Sequence, residues 1–476
     1  METLPTDQVE SKPGKGESES NKSIEVMGTK SDILFIKICF IFFGIGTLLV
    51  FNFIISDIDF FIHFQGTDSK NPSIVFPFLN FILNILFQFI MICKKKMFSY
   101  KAQLIFSIIF QICSLVLIPV SVLCFPRKEV SEVSFYITCV IVFLQGFATA
   151  VCTSSFMGLA SYFPVGNIVA LSIGQGLAGI LSNILKYLTL IFLPVSDSTK
   201  DEWNLILGSL IFFSVGCVLM ILCFIFLILA YRNEYFLQVL EKVGEIGNVE
   251  IVPTTQIEEE MPDPTRLVPK DLDETQRESY RDSTAARKEL EEFEIKIEDE
   301  KYKRHSFIYL IKCLLDINIL IFVAYFVTFT VYPGACLEPS LFGLNMFWKP
   351  NTVITIFNIF DTIGRKIVDC LKPKKWMLYV FTLIRLILLI LIPLDDYLEF
   401  KQYITASSVL LIFNVVFLSL TNGIATSLAY ALAPMSVKSY LKGKAGGSVS
   451  FFNICGIFMG TISAFGMNAI IKAIAK

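Results

Sequence analysis

Histidine is almost missing from this sequence. The chain has only His63 and His305, so a histidine-based metal or catalytic site has little to draw on. The HExxH, GxSxG and Walker A motifs are also missing, which argues against zinc proteases, serine hydrolases and nucleotide-driven proteins that use them. These absences predict that the chain is not an enzyme and that it holds no metal or cofactor.

Charge is scarce as well. Only 17% of the residues are charged and the formal net charge is −2, with most of the charges in short loops and one central segment. This distribution gives no support for binding nucleic acid. The twelve cysteines lie in or beside apolar blocks, so they do not form the disulfide framework of a secreted domain.

Long apolar stretches dominate what remains. Apolar residues make up 54% of the chain and its mean hydropathy is +0.65. A helix needs roughly 20 such residues to cross the hydrocarbon core of a bilayer. The sequence therefore predicts an all-α membrane protein with eleven spans, at residues 33–56, 75–93, 103–125, 134–156, 166–193, 204–231, 307–331, 346–368, 377–394, 406–432 and 447–470.

The spans fall into two groups. We expect a cytoplasmic tail at residues 1–32, six spans within 33–231, a cytoplasmic central loop at 232–305 and five spans within 306–476. The central loop is rich in Glu and Lys and has prolines in its first half, so it is predicted to be largely disordered. A six-plus-five bundle with a long central loop is an arrangement that transporters use.

Lysine and arginine in the short loops give the orientation. Twelve lie in the loops after spans two, eight and ten, and six lie in the alternate loops. The first set is Lys94, Lys95, Lys96, Lys101, Arg365, Lys366, Lys372, Lys374, Lys375, Lys438, Lys442 and Lys444; the second is Lys70, Arg127, Lys128, Lys200, Lys349 and Lys401. Since positive loops stay in the cytoplasm, this bias predicts an inside N-terminus and an outside C-terminus.

The eighth span has the sharpest cluster of polar residues. Asn358, Asp361 and Arg365 share one helical face, and the two charges can form an ion pair. Polar groups inside a membrane usually face the protein interior or a pathway. The sequence also allows a more apolar span at residues 341–360, which would leave the pair as a cytoplasmic flank. Lys186 and Arg385 are further charges inside predicted spans, and Arg385 needs an inward partner.

Several short motifs, in their order and spacing, resemble the equilibrative nucleoside transporter family. They cover roughly residues 33–470 and comprise Gly44 to Asn52, Phe156 to Ala160, Phe163 with Pro164, Gly174 to Gly179, Tyr332 to Gly334, Phe357 to Asp361 with Gly364 and Arg365, Arg385 with Pro393, Thr421 to Gly423, Ala433 with Pro434, and Ala445 with Gly446. The resemblance implies a fold similar to the major facilitator type and facilitative transport of nucleosides, or of nucleobases, across the bilayer by alternating access.

The resemblance also implies a substrate site. It places Asp361 and Arg365 in the pathway near the ribose. Further contacts are expected from Asn358 in the eighth span, Leu48, Phe51 and Asn52 in the first, Thr153 in the fourth and Gln175 in the fifth.

Two departures from the family pattern leave the base preference open. Val50 and Phe51 stand where the family usually has Pro-Trp, and Thr153 stands where many members have a glutamine. A major facilitator carrier of another small solute is the nearest alternative function, and a membrane receptor or scaffold acting through the central loop is a more distant one. The plasma membrane is the expected location, with an intracellular membrane as the alternative.

Overall fold

A bundle of long helices makes up the protein. The computed structural model describes residues 28–66, 72–93, 99–124, 131–194, 202–247, 306–332, 334–337, 341–344, 348–400, 403–438 and 441–474. In chain order the helices are α1 (Lys30–Ser56), α2 (Ile58–Gln65), α3 (Pro72–Cys93), α4 (Tyr100–Leu123), α5 (Ser131–Ala160), α6 (Val165–Phe192), α7 (Glu202–Ala230), α8 (Glu234–Gly247), α9 (Ser306–Cys313), α10 (Leu315–Val331), α11 (Gly334–Leu337), α12 (Trp348–Cys370), α13 (Lys375–Leu383), α14 (Leu388–Phe400), α15 (Ile404–Met435) and α16 (Lys442–Ile474). A 3-10 segment, Ile384–Ile387, joins α13 to α14.

Nine of these described helical stretches are long and apolar enough to cross a membrane, and the bent pair α9 and α10 brings the number to ten. The remaining predicted span is α12, a helix of 23 residues whose apolar positions are interrupted by polar and charged residues, so it is not among these ten. The all-α membrane fold is confirmed, while the count of eleven spans stays a prediction.

The surface of the bundle is apolar and its interior holds polar groups. Phe192, Ile390 and Ile191 expose 75%, 72% and 59% of their surface, as expected of side chains that face lipid. Trp203 and Trp376 are exposed at the starts of α7 and α13, where a membrane interface would hold aromatic rings. Buried amides, hydroxyls and charges collect inside, which is the arrangement of a bundle that solvates polar groups internally.

Small residues set the closest helix crossings. α1 and α6 meet where a side chain added at Gly44 or Gly174 would collide with the backbone of the opposite helix. Gly456 and Gly460 of α16 approach the carbonyls of Phe322 and Phe326 in α10, so this GxxxG spacing serves as a packing motif. Helix α12 packs against α15 on one side and α6 on the other, and so lies between the two groups of spans.

Two predicted spans are interrupted. The seventh bends by 70° between α9 and α10, and the ninth consists of α13, the 3-10 segment and α14. Arg385 lies within the second interruption and is the buried residue of that 3-10 segment, whereas Ile384, Leu386 and Ile387 are exposed.

The segment predicted as the central loop begins with a helix. Within α8, Phe236 packs its ring on Phe163 at a centroid distance of 5.3 Å, and Tyr235 and Val239 are also buried. This amphipathic helix therefore docks on the ends of the first group of spans. Residues 248–305 lie outside the described part of the chain, as does the tail up to residue 27, so their predicted disorder and cytoplasmic location stay predictions.

Candidate functional site

An ion pair is buried in the middle of α12. Arg365 Nε donates to Asp361 Oδ2 at 2.7 Å, and each residue is only 4% exposed. One helical turn separates them, as the spacing of four residues requires. Because α12 runs from Trp348 to Cys370, the pair lies inside the helix, and the alternative span at residues 341–360 is wrong.

The second oxygen of the carboxylate is held by α15. Asn422 Nδ2 donates to Asp361 Oδ1 at 2.7 Å. Close approach of the two helices makes this bond possible, because a side chain added at Gly423 would collide with the carbonyl of Asp361. Each carboxylate oxygen thus has one strong donor, which compensates the cost of burying the charge.

The guanidinium of Arg365 reaches across to the other group of spans. Its Nη1 donates to the carbonyl and hydroxyl of Ser172 at 3.0 and 2.9 Å and to Gln175 Oε1 at 3.3 Å, both on α6. Its Nη2 donates to the hydroxyl of Tyr325 on α10 at 3.5 Å. A single planar fork therefore connects three helices, which a point-charge ammonium could not do.

Only part of the predicted site is joined by hydrogen bonds. Gln175 contacts Arg365 and also donates to Thr47 Oγ1 of α1 at 3.3 Å. Asn358 is half-buried one turn before Asp361, where its amide lies 2.7 Å from the position a Cβ at Gly179 would occupy.

No hydrogen bond among the described residues joins the predicted contacts from α1 and α5 to the Asp361–Arg365 pair. Leu48, Phe51 and Asn52 are half-buried on α1, and Asn52 Nδ2 donates to the carbonyl of Leu48 at 3.0 Å. The ring of Phe51 lies 5.2 Å from that of Phe81. Thr153 is buried on α5, and its hydroxyl has no hydrogen-bond partner within the described ranges.

Sequence reasoning missed three partners of the ion pair. Asn422 stands in a motif that carries the family resemblance and Ser172 lies two residues before one, but a serine and an asparagine in apolar spans do not reveal which charge they face. Nothing in the sequence indicates that Tyr325 contacts the ion pair, since aromatic residues are common in apolar helices. Their roles follow from helix packing, because α6 and α15 pack against α12 and α10 packs against α15.

Lys186 and Arg385, the two other charges singled out within predicted spans, each have a buried partner. Lys186 Nζ lies 2.7 Å from Asp57 Oδ1 and 2.8 Å from Asp59 Oδ1, so it is paired inside the protein and does not extend to the surface. Arg385 is fully buried and donates from Nη2 to the hydroxyl of Thr328 on α10.

Contacts between the two groups of spans lie on both sides of the ion pair. Towards one end of α12, Lys37 of α1 forms a salt bridge of 2.9 Å with Asp369. Towards the other end, the hydroxyl of Tyr187 on α6 donates to Thr352 Oγ1 at 3.1 Å, and its ring lies 5.7 Å from that of Trp348. The Asp361–Arg365 pair is therefore enclosed along the α12 seam in this conformation.

Comparison with known proteins identifies a consistent group of relatives. A family model described as "Nucleoside transporter" matches residues 136–469. Equilibrative nucleotide transporter 1 of Arabidopsis thaliana is 23% identical over 434 residues, which cover 90% of this chain and 85% of that protein. Equilibrative nucleoside transporter 2 of Mus musculus is 24% identical over 463 residues, covering 92% and 97%.

Solved structures share the fold at low sequence identity. The major facilitator proton:xylose symporter XylE of E. coli aligns with a TM-score of 0.53 at 13% identity and covers 94% of each chain. The E. coli fucose:proton symporter FucP aligns with a TM-score of 0.51 at 14% identity, covering 93% of this chain and 98% of FucP. The major facilitator fold predicted from the resemblance is confirmed.

Proposed function

This chain belongs to the nucleoside transporter family, and we propose that it is a facilitative carrier of nucleosides that binds the sugar of its substrate at the Asp361–Arg365 pair. The family match covers residues 136–469, and the relatives and the transporter fold support carriage across a membrane. The protein is an integral membrane protein of the transporter class and not an enzyme. The plasma membrane stays the expected location.

The observation that carries the proposal is the geometry of the ion pair. It presents an acceptor and a donor side by side on α12, and through Ser172 it contacts the other group of spans. Adjacent ribose hydroxyls can donate to a carboxylate and accept from a guanidinium. A site that contacts both groups of spans can also couple substrate binding to their relative movement.

Binding capacity remains on both partners. The carboxylate oxygens of Asp361 each receive one donor, from Arg365 and Asn422, and each oxygen of a carboxylate has about two lone pairs to offer. The bond of 3.5 Å from Arg365 Nη2 to Tyr325 is at the long end of hydrogen-bond distances and is easily exchanged for a sugar hydroxyl. Charge-assisted bonds of this kind contribute roughly 1.5–3 kcal/mol each.

Alternating access requires that the contacts on either side of the pair break in turn. The Lys37–Asp369 salt bridge would open on the side predicted to be cytoplasmic, and the contact of Tyr187 with Thr352 on the opposite side. Both join α12 to the first group of spans, so a rocking movement of one group against the other can release one while keeping the second.

The base contact is the less constrained part of the proposal. Thr153, expected near the base, has a buried hydroxyl without a hydrogen-bond partner among the described residues, and this hydroxyl can form a hydrogen bond with a ligand. A hydroxyl cannot reproduce the paired donor and acceptor of an amide, so a nucleobase without a sugar stays the alternative substrate.

Uptake by reconstituted vesicles tests the substrate class. Radiolabelled adenosine, uridine and hypoxanthine are each presented to vesicles containing the purified protein, with protein-free vesicles as the control. We expect the two nucleosides to enter faster than in the control and an excess of unlabelled uridine to compete. Uptake of hypoxanthine alone would favour the nucleobase alternative, and uptake of none would contradict the proposal.

A further inference from the structure

Arg385 is a buried cation that is not part of the proposed substrate site, so its role has not yet been explained. It lies in the 3-10 segment of the ninth span and has no exposed surface. Its Nη2 donates to Thr328, while Nε and Nη1 have no hydrogen-bond partner in the described parts of the chain. An arginine buried with so little direct compensation is costly, which points to an effect beyond tying two helices together.

A chain of hydrogen bonds leads from Arg385 to Asp361. Thr328 Oγ1 donates to Asn422 Oδ1 at 3.0 Å, and Asn422 Nδ2 donates to Asp361 Oδ1 at 2.7 Å. All four residues are at most 4% exposed, so water does not compete for these bonds. We call Arg385, Thr328, Asn422 and Asp361 the relay.

The direction of the relay is electrostatically coherent. A cation occupies the donor end and an anion the acceptor end, so each bond polarises the next in the same sense. The hydroxyl of Thr328 also lies 2.8 Å from the carbonyl of Ala324 and has only one proton. Arg385 occupies its acceptor side. The proton is then left for Ala324 or for Asn422.

The relay orients the side-chain amide of Asn422. Its carbonyl faces the hydroxyl of Thr328 and its amide nitrogen faces the carboxylate of Asp361. The flipped amide would direct its oxygen at an anion and its nitrogen at Thr328, so it would replace an attraction by a repulsion. The carboxylate of Asp361 therefore favours one orientation of Asn422, and the Thr328 hydroxyl adds to that preference when its proton is directed at Asn422 Oδ1 and not at Ala324. Asn422 in this orientation holds Asp361 Oδ1.

We propose that Arg385 is a positioning residue for the substrate site, acting through Thr328 and Asn422 to hold the carboxylate of Asp361 in the orientation that receives a sugar hydroxyl. This inference rests on the proposed function of the Asp361–Arg365 pair. It assigns a role in sugar recognition to a residue of the ninth span that does not contact the ion pair through a direct hydrogen bond.

The test compares two threonines on the same helix. Thr328→Val removes the relay hydroxyl with little change in shape, and Thr330→Val is the matched control, because Thr330 is 5% exposed and donates only to the carbonyl of Phe326 in its own helix. Competition by uridine and by 2′,3′-dideoxyuridine against labelled uridine is measured in vesicles and normalised to reconstituted protein. The readout is the selectivity ratio, which is the inhibitory concentration of 2′,3′-dideoxyuridine divided by that of uridine.

We expect Thr328→Val to narrow that ratio by about three- to tenfold, as loss of a neutral hydrogen bond would. Thr330→Val should keep the wild-type ratio. Thr328→Ser should also keep it, because serine retains the hydroxyl that valine lacks. If Thr328→Val does not reconstitute, Arg385→Gln takes its place. Arg385→Lys is then the conservative variant, and its ratio should be closer to that of the wild type than the ratio of Arg385→Gln.

Non-additivity separates a relay from independent packing defects. The variant that combines Thr328→Val with Arg385→Gln should narrow the ratio no further than the stronger single change, because both interrupt one path. A wild-type ratio in both single variants, or multiplied effects in the double variant, would overturn the relay while leaving the sugar site intact. Wild-type protein that transports uridine without discriminating against dideoxyuridine would overturn the sugar site and the relay together.

Discussion

Replacement of Arg365 by lysine separates sugar binding from helix packing. Arginine donates here from Nε to Asp361, from Nη1 to Ser172 and Gln175, and from Nη2 to Tyr325. A lysine ammonium keeps the charge but concentrates its donors on one atom, so it cannot serve three helices and a ligand at once. The variant should therefore keep an ion pair with Asp361 and lose the bond to a substrate hydroxyl.

The size of the effect follows from that one bond. A charge-assisted hydrogen bond is worth roughly 1.5–3 kcal/mol, and each 1.4 kcal/mol is about tenfold in affinity. Wild-type protein should bind a 2′,3′-dideoxynucleoside about tenfold or more weakly than the parent nucleoside. In Arg365→Lys the parent should lose about tenfold or more while the dideoxynucleoside, which lacks the hydroxyls, loses much less.

Competition in reconstituted vesicles measures both ligands at equal amounts of protein. Arg232→Lys is the matched control, since it makes the same chemical change at an exposed position between α7 and α8. If Arg365 only ties helices together, the variant should lower the amount of folded protein or slow all substrates alike. An unchanged preference between the two ligands in Arg365→Lys would refute the assignment of this residue to the sugar site.

Three more outcomes are expected. Lys186→Met leaves the buried carboxylate of Asp57 without its counter-charge, which costs about 3–5 kcal/mol, so the melting temperature in detergent should fall. An unaltered melting temperature would contradict a stabilising role of the ion pairs from Lys186 to Asp57 and Asp59. Gly423→Ala should reduce the yield of monodisperse protein, because the added Cβ would collide with the backbone of α12. Gly208→Ala is the control, since its Cβ would lie 3.8 Å from its nearest neighbour, and equal yields of the two variants would contradict the close crossing of α12 and α15. A tag after Lys476 should be reachable from outside intact cells and one before Met1 should not, and two tags on one side would contradict the six-plus-five arrangement.

Helix positions could be predicted from the sequence because hydropathy depends on local composition. The predicted spans at 33–56 and 166–193 correspond to α1 at Lys30–Ser56 and α6 at Val165–Phe192. The eighth span was ambiguous for a physical reason: the residues that form the site make α12 too polar to stand out. Hydropathy left two possible positions for this helix, and the family resemblance favoured the one that the structure has.

Partners across helices could not be read from the sequence. Arg365 meets Ser172, 193 positions away, and Arg385 meets Thr328, 57 positions away, so no local pattern links them. The bend in the seventh span and the 3-10 segment in the ninth were missed, because a run of apolar residues does not show where the helical backbone changes. The expected roles of Asn52 and Thr153 stay predictions, because neither forms a hydrogen bond with the Asp361–Arg365 pair.

The final level of substrate inside vesicles tests facilitative transport most directly. Labelled uridine is supplied outside vesicles containing the purified protein, with and without an imposed pH gradient, and its internal concentration is followed to a plateau. A carrier driven by the substrate gradient alone predicts a plateau at equal internal and external concentrations in both conditions, reached faster than in protein-free vesicles. Accumulation above the external concentration when the pH gradient is imposed would contradict the facilitative mechanism.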